Sequence, residues 1–224
     1  MNQIDSPAGG RRRTRPAIFQ VGFTETNRLE AFSDGVFAIV VTLLVLDLRL
    51  PTPPPDELHL WSALRELVPT FVSWAISFAF VLVVWVNHHY LFGQLQRTDR
   101  GLMWINGLLL FAVSFVPFPT GLAGQYFLAP AGLLLVSAAM FVVSASFSAM
   151  RWYAGFIADL TDASISREAR LTALKRSLIG PALYATAMVC SFVWPLGALI
   201  IQIVVPVLFF LRSPSHSSVV DVKV

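Results

Sequence analysis

The sequence predicts an all-α integral membrane protein with six transmembrane helices per chain. Three observations lead there. Of the 224 residues, 56% are apolar and only 13% are charged, about half the charge of a soluble domain. The apolar residues are gathered into blocks of roughly 20, the length that crosses a hydrocarbon layer of roughly 30 Å. The basic residues fall almost wholly on one side of the threading that those blocks define.

Residues 1–27 are polar and include the run Arg11-Arg12-Arg13-Thr14-Arg15, which predicts a basic tail. No short apolar core follows the charges directly, so a cleaved secretory signal is not expected. The first apolar block covers residues 31–50 and ends at Pro51-Thr52-Pro53-Pro54-Pro55, because proline lacks the helix donor and clashes with the preceding turn. A short amphipathic piece follows over 56–66. The second block covers 67–92, with Pro69 acceptable in its first turn. The third covers 102–122, interrupted by Pro117-Phe118-Pro119, and the fourth covers 126–150. Residues 151–176 read as a polar connection carrying a surface helix. The fifth block, 178–192, is short unless it begins near Leu171, and Pro195 divides it from the sixth, 196–211. If that pair formed one broken hairpin, the count would fall to five or four. The domains are therefore a basic tail at 1–27, a six-helix membrane domain at 28–212 and a polar tail at 213–224.

Six spans put Arg11, Arg12, Arg13, Arg15, Arg28, Arg97, Arg100, Arg151, Arg167, Arg170, Lys175, Arg176, Arg212 and Lys223 on one side, 14 of the 16 basic residues. The other side holds Arg49 and Arg65. Basic residues collect on the cytoplasmic side, so both termini are expected there, in a multi-pass protein of the cell membrane. The same rule accounts for the net charge of +3 without a nucleic-acid partner. The opposite mouth carries Asp47, Asp56, Glu57 and Glu66, which makes it acidic. The single cysteine, Cys190, excludes an intrachain disulfide, and no Cys/His spacing suggests zinc.

The first helix carries Ser33, Asp34 and Gly35 at the start of its apolar span. An aspartate inside a membrane segment is costly and marks function or structure. At about 100° per residue, with Ile39 as zero, Leu46 lies near −20°, Leu43 near +40°, Thr42 near −60° and Gly35 near −40°. Asp34 and Ser33 fall at about −140° and +120°, off that stripe. One face is thus apolar with one hydroxyl, and the other holds a carboxylate that needs donors. Asn87, His88, His89 and Asn106 reach the same level from the second and third blocks. Adjacent histidines point about 100° apart, so they cannot serve one neighbour. The arrangement reads first as a structural hydrogen-bond network. A proton relay through Asp34 and His88 or His89, and a metal site on Asp34 and one histidine, are the competing readings.

Arg28-x-x-x-Phe32-Ser33-Asp34-Gly35-Val36-Phe37-Ala38-Ile39, then Thr42-Leu43-Leu44, resembles the signature of the transmembrane protein 175 family of potassium channels in its bacterial form. The agreement continues in Asn87-His88-His89, Trp104-x-Asn106 and Phe115-x-Pro117-Phe118-Pro119-Thr120, and covers residues 25–150. The resemblance implies a homotetramer in the lipid bilayer, with the first helix of each subunit lining a central pore for K⁺ and no cofactor. It implies that Ile39 forms the narrowest hydrophobic ring, with Leu43 and Leu46 as further apolar layers and Thr42 as the hydroxyl near the constriction. Arg28, Ser33 and Asp34 would tie the first helix to its neighbours, with His88, His89 and Asn106 in the same network and Arg28 paired to a carboxylate. Neither a Thr-Val-Gly-Tyr-Gly filter nor an arginine ladder occurs. The alternative is a secondary cation or proton-coupled transporter using Asp34, His88 and His89. An enzyme is not expected, since no nucleophile stands beside that cluster and no metal site is indicated.

Overall fold

The computed structural model describes residues 21–50 and 56–211. The arginine run at 11–15, the proline loop 51–55 and the outer parts of both expected tails lie outside the described residues. The described chain is helical: α1 (Val21–Leu43), a 3-10 turn (Leu44–Asp47), α2 (Leu60–Glu66), α3 (Val68–Phe92), α4 (Arg100–Phe115), α5 (Pro117–Gln125), α6 (Pro130–Trp152), a π turn (Tyr153–Ile157), α7 (Arg167–Val193) and α8 (Pro195–Leu211).

Five spans are long and apolar enough to cross a membrane, with α4 and α5 counting as one span bent at Pro117. The sixth expected span is α8. It is apolar but has only 17 residues, about 25 Å against a hydrocarbon layer of roughly 30 Å. Two boundaries differ from expectation. Helix α1 begins at Val21, inside what reads as tail, and its last apolar turn tightens to 3-10 geometry. The stretch 151–176 is not a connection with its own surface helix: α6 runs to Trp152 and α7 begins at Arg167. Apart from Arg151, which ends α6, its basic residues belong to the first turns of α7, which stay helical because Arg, Ala, Leu and Lys are good helix formers and Ser166 caps the end, accepting from Ala169 N at 3.2 Å.

Helix α6 is the central element, packed along α7 and against α3, α4, α5 and α8, whereas α1 touches the bundle through α3 and α4. Small residues let α6 and α7 approach: a Cβ on Gly180 would stand 3.3 Å from Ser144 Cβ. On the other side of the bundle a Cβ on Gly124 of α5 would stand 2.8 Å from Thr70 Cα of α3. Small hydroxyls bond across the bundle beside its prolines, and one of them answers a missing helix donor. Pro181 has no N–H for the carbonyl of Ser177, and Ser148 Oγ of α6 lies 2.9 Å from that oxygen, sharing its one proton between it and Ser144 O of its own helix, also at 2.9 Å. At the α4–α5 bend, Thr120 Oγ1 donates to Val116 O at 2.8 Å and sits 2.7 Å from Ser77 Oγ of α3.

One end of the bundle is closed by two loops bonded to each other. Gln96 N donates to Leu160 O and Asp162 N to Gln94 O, both at 2.9 Å. Hydrogen bonds from Ser164 and then Gln96 hold the Asp162 carboxyl well below the usual range, at about 2. Asp99 caps α4 through Leu102 N and also accepts from Tyr153 OH, each at 2.8 Å. Arg170 ties the second loop by an ion pair to Asp159 and a bond to Gly155 O. The loops that follow α3 and α6 are thereby fixed at the same end, which carries Arg97, Arg100, Arg167 and Arg170.

Ser148→Ala should lower stability by about 1 kcal/mol by leaving the Ser177 carbonyl without its bond. Combined with Pro181→Ala, which restores the backbone donor, the loss should be smaller than the sum of the two single changes. Thermal unfolding of the four proteins in one detergent checks this, and strict additivity would show that the serine does not answer the proline.

Candidate functional site

The polar face of α1 is pinned by a relay whose direction is fixed from one end. Ser33 Oγ donates to the backbone carbonyl of Leu29 at 2.8 Å. A carbonyl only accepts, so the hydroxyl has only lone pairs left to offer. Asn106 of α4 fills them, its Nδ2 donating to Ser33 Oγ at 2.9 Å. The amide oxygen must then face the other way, toward His88 Nε2 of α3 at 2.9 Å, so that nitrogen carries the proton. All three side chains are buried. The His88 ring is stacked on Phe92, with centroids 4.2 Å apart, and meets Phe37 edge-on at 5.4 Å. Its Nδ1 is buried without a partner.

A second, half-exposed layer lies beside the relay. Asp34 Oδ1 accepts from Trp85 Nε1 at 2.9 Å, and Glu30 Oε1 pairs with His89 Nδ1 at 2.9 Å. Glu30 and Asp34 are one turn apart on α1, as are Trp85 and His89 on α3, and the two helices run antiparallel. One turn forward on the first therefore matches one turn back on the second.

These bonds correct the expected cluster. Asp34, His88 and His89 do not converge: each is bonded elsewhere, and among the described residues no group of three His, Cys, Asp or Glu side chains is placed to hold a metal ion. The partner of Asp34 is neither histidine but Trp85. The sequence held the signal, since Trp85 and His89 share a face of α3 facing the Glu30–Asp34 face of α1. Asn87 is not in the network either, because its Nδ2 donates to Val83 O within its own helix. Arg28 is exposed and has no carboxylate partner within the chain among the described residues. Glu30 and Asp34, its two expected partners, are engaged with α3.

The opposite face of α1 is covered by none of the described residues. Ile39 is 60% exposed, Leu46 52% and Leu43 42%, while the intervening Val40 is 2% exposed. Phe32 and Gly35 continue the exposed stripe toward Arg28, a role for Phe32 that the angular reading passed over. Leu46 sits in the 3-10 turn, so its direction differs from the ideal α-helical value although it stays exposed. Thr42 is exposed and donates its proton to Ile39 O at 2.8 Å. Its oxygen therefore presents lone pairs outward.

The sequence model described as "Endosomal/lysosomal potassium channel TMEM175" matches residues 28–117. A protein of Chamaesiphon minutus named as a potassium channel is 39% identical over 194 residues, covering 85% of this chain and 96% of its own. The chain belongs to the TMEM175 family. Another relative, a potassium channel of Streptomyces collinus, is 34% identical over 173 residues, 75% of this chain and 84% of its own. The crystal structure of a lysosomal potassium-selective channel TMEM175 homolog from Chamaesiphon minutus superposes with a TM-score of 0.75 at 35% identity, over 86% of this chain and all of that one. The segment that carries the TMEM175 match contains α1 from Arg28 onward with all of α3 and α4, and with them every member of the relay. The family is one of ion channels, not of enzymes.

Asn106→Leu keeps roughly the size of the relay's central side chain and removes both the N–H that Ser33 needs and the oxygen that faces His88. It should cost about 1–3 kcal/mol, the penalty for an unsatisfied buried polar group. Asp34→Asn keeps an oxygen for Trp85 Nε1 and should cost less. Unfolding followed by tryptophan fluorescence would rank them, and a wild-type melting curve for Asn106→Leu would mean that the relay does not hold α1.

Proposed function

We propose that four copies of this chain assemble into a passive, potassium-permeable channel of the cell membrane, with the stripe of α1 from each copy lining a shared pore. One observation carries this reading: α1 turns its bonded polar groups inward and leaves an apolar stripe with a single hydroxyl uncovered. The names of the Chamaesiphon and Streptomyces relatives support the permeant ion. The end with Arg97, Arg100, Arg167 and Arg170 is cytoplasmic by the distribution of basic residues, and both termini lie on that side.

In this channel Ile39 forms the narrowest ring, with Leu43 and Leu46 as further apolar layers. An apolar constriction opposes ions because it dewets and offers nothing to replace their hydration shell. Opening requires the rings to widen or rotate. K⁺ sheds water at lower cost than Na⁺, which gives a preference before any side chain takes part. Thr42 adds an oxygen whose lone pairs already face outward, an acceptor for a partly dehydrated cation. Arg28 lies on the same side of α1, and since its expected partners are occupied within the chain, its carboxylate comes from a neighbouring copy. Ser33, Asp34, His88, His89 and Asn106 hold α1 in the rotation that exposes the stripe. No cofactor takes part.

The transporter reading is not favoured by the geometry. It requires Asp34 and the two histidines to act as one titrating group, whereas each is committed to a different bond.

Mass measurement of the full chain in detergent should give a tetramer, and a species no larger than a dimer would reject the shared pore. Ile39→Asn should wet the constriction, raise cation flux into liposomes several-fold and weaken the preference for K⁺ over Na⁺. Val40→Asn, in the buried face, should disturb packing without raising flux. The comparison is made at equal amounts of assembled protein, and equal flux from both variants would remove Ile39 from the constriction.

A further inference from the structure

We propose that the crevice between α3, α6, α7 and α8 binds one anionic phospholipid, with its acyl chains in the apolar body and its phosphate at Arg151 and Arg176. This inference goes beyond the pore reading and uses no residue of α1. The crevice has a volume of about 1030 Å³ and is lined by both arginines, with no carboxylate among its lining residues. That volume stands at the upper end of the few hundred to about 1,000 Å³ typical of ligand sites. Its inner end is closed by Tyr184 and Phe80, in edge contact at 5.5 Å.

Arg151 decides the charge of the occupant. It ends α6 with its guanidinium 5.3 Å above the Phe147 ring. Its Nε is buried with no hydrogen-bond partner, and no ion pair to it is formed among the described residues. A cation in so apolar a place requires an anion or donor-accepting oxygens close by. Arg176 stands on the facing helix, exposed, at the end of the bundle that carries the basic residues. Basic pockets between membrane helices on that side suit the phosphate of an anionic lipid.

The competing occupants fit less well. Free phosphate would meet the arginines but leave the apolar body unfilled. A neutral lipid would fill the body but leave the net charge of Arg151 unmatched. A second copy of the chain would have to bring both an apolar helix and a carboxylate to this depth.

The test is native mass spectrometry of the full assembled chain with phosphatidylglycerol, phosphatidylcholine of the same acyl chains, or inorganic phosphate as the added probe. Wild type should retain phosphatidylglycerol in preference to phosphatidylcholine, and millimolar phosphate should not displace it. Arg151→Gln and Arg176→Gln should each weaken retention roughly fivefold, the effect of one basic residue near an anionic headgroup. Arg176 is exposed, so that variant decides the matter should Arg151→Gln fail to fold. Equal retention of the two lipids, displacement by phosphate, unchanged retention in Arg176→Gln, or binding to the monomer that is lost on assembly would each overturn the proposal. The last outcome would assign the crevice to a neighbouring copy.

Discussion

Within a bilayer a donor or acceptor that lacks a partner has no water to turn to, and the relay from Leu29 through Ser33 and Asn106 to His88 is where that constraint shapes this protein most. The Leu29 carbonyl cannot donate, so every later bond in the relay points one way. The relay joins α1, α3 and α4, and rotation of α1 about its axis would break at least one of its bonds. With rotation fixed, Phe37, Val40 and Leu44 are committed to the core, and Ile39, Thr42 and Leu43 to the outside. The proposed pore depends on that commitment more than on any property of the exposed side chains themselves.

The same constraint accounts for details that would be incidental in water. Pro181 would strand a carbonyl inside α7, and Ser148 of α6 supplies the missing donor. Pro117 and Pro119 divide the third span, and Thr120 bridges the bend to Ser77 of α3. In each case a small hydroxyl beside a proline bonds across to a second element, and at Pro181 it also answers the carbonyl that the proline strands. Helix breaks and helix packing are thus connected: the irregular positions become the places where the bundle is bonded across. Arg151 is not answered in this way: its Nε is buried without a partner and no described residue pairs with its charge, which makes its crevice a place to look for something the chain does not contain.

The sequence made the membrane class, the helical architecture and the two faces of α1 legible, because apolar block length and a 100° period are strong signals. Ile39, Thr42, Leu43 and Leu46 could be grouped, and Val40 separated from them, with no knowledge of their neighbours. The partner of Asp34 was harder. Asparagines and histidines were weighed as donors because they are overtly polar, while Trp85 has a single N–H on an apolar ring. Antiparallel pairing of α1 with α3 would have been needed to see that Trp85 and His89 face Asp34 and Glu30, and hydropathy does not give that register. The extent of α7 was hidden for a different reason. Its basic first turns look like a loop to a hydropathy window, although as helix formers they simply extend the span beyond the apolar layer.

The directionality of the relay has a consequence for how this chain can change over generations. Leucine at 106 fits but cannot donate, alanine at 33 removes the acceptor, and phenylalanine at 88 has no N–H. Threonine at 33 keeps a hydroxyl that can both donate and accept, but each of the other three changes breaks the sequence of donors and acceptors and leaves a defect that only a matched change elsewhere can mend. These residues, set far apart along the chain, are therefore coupled through one set of bonds, while the hydrocarbon side chains of the stripe on the opposite side of the same helix make no bond that a change among them would break.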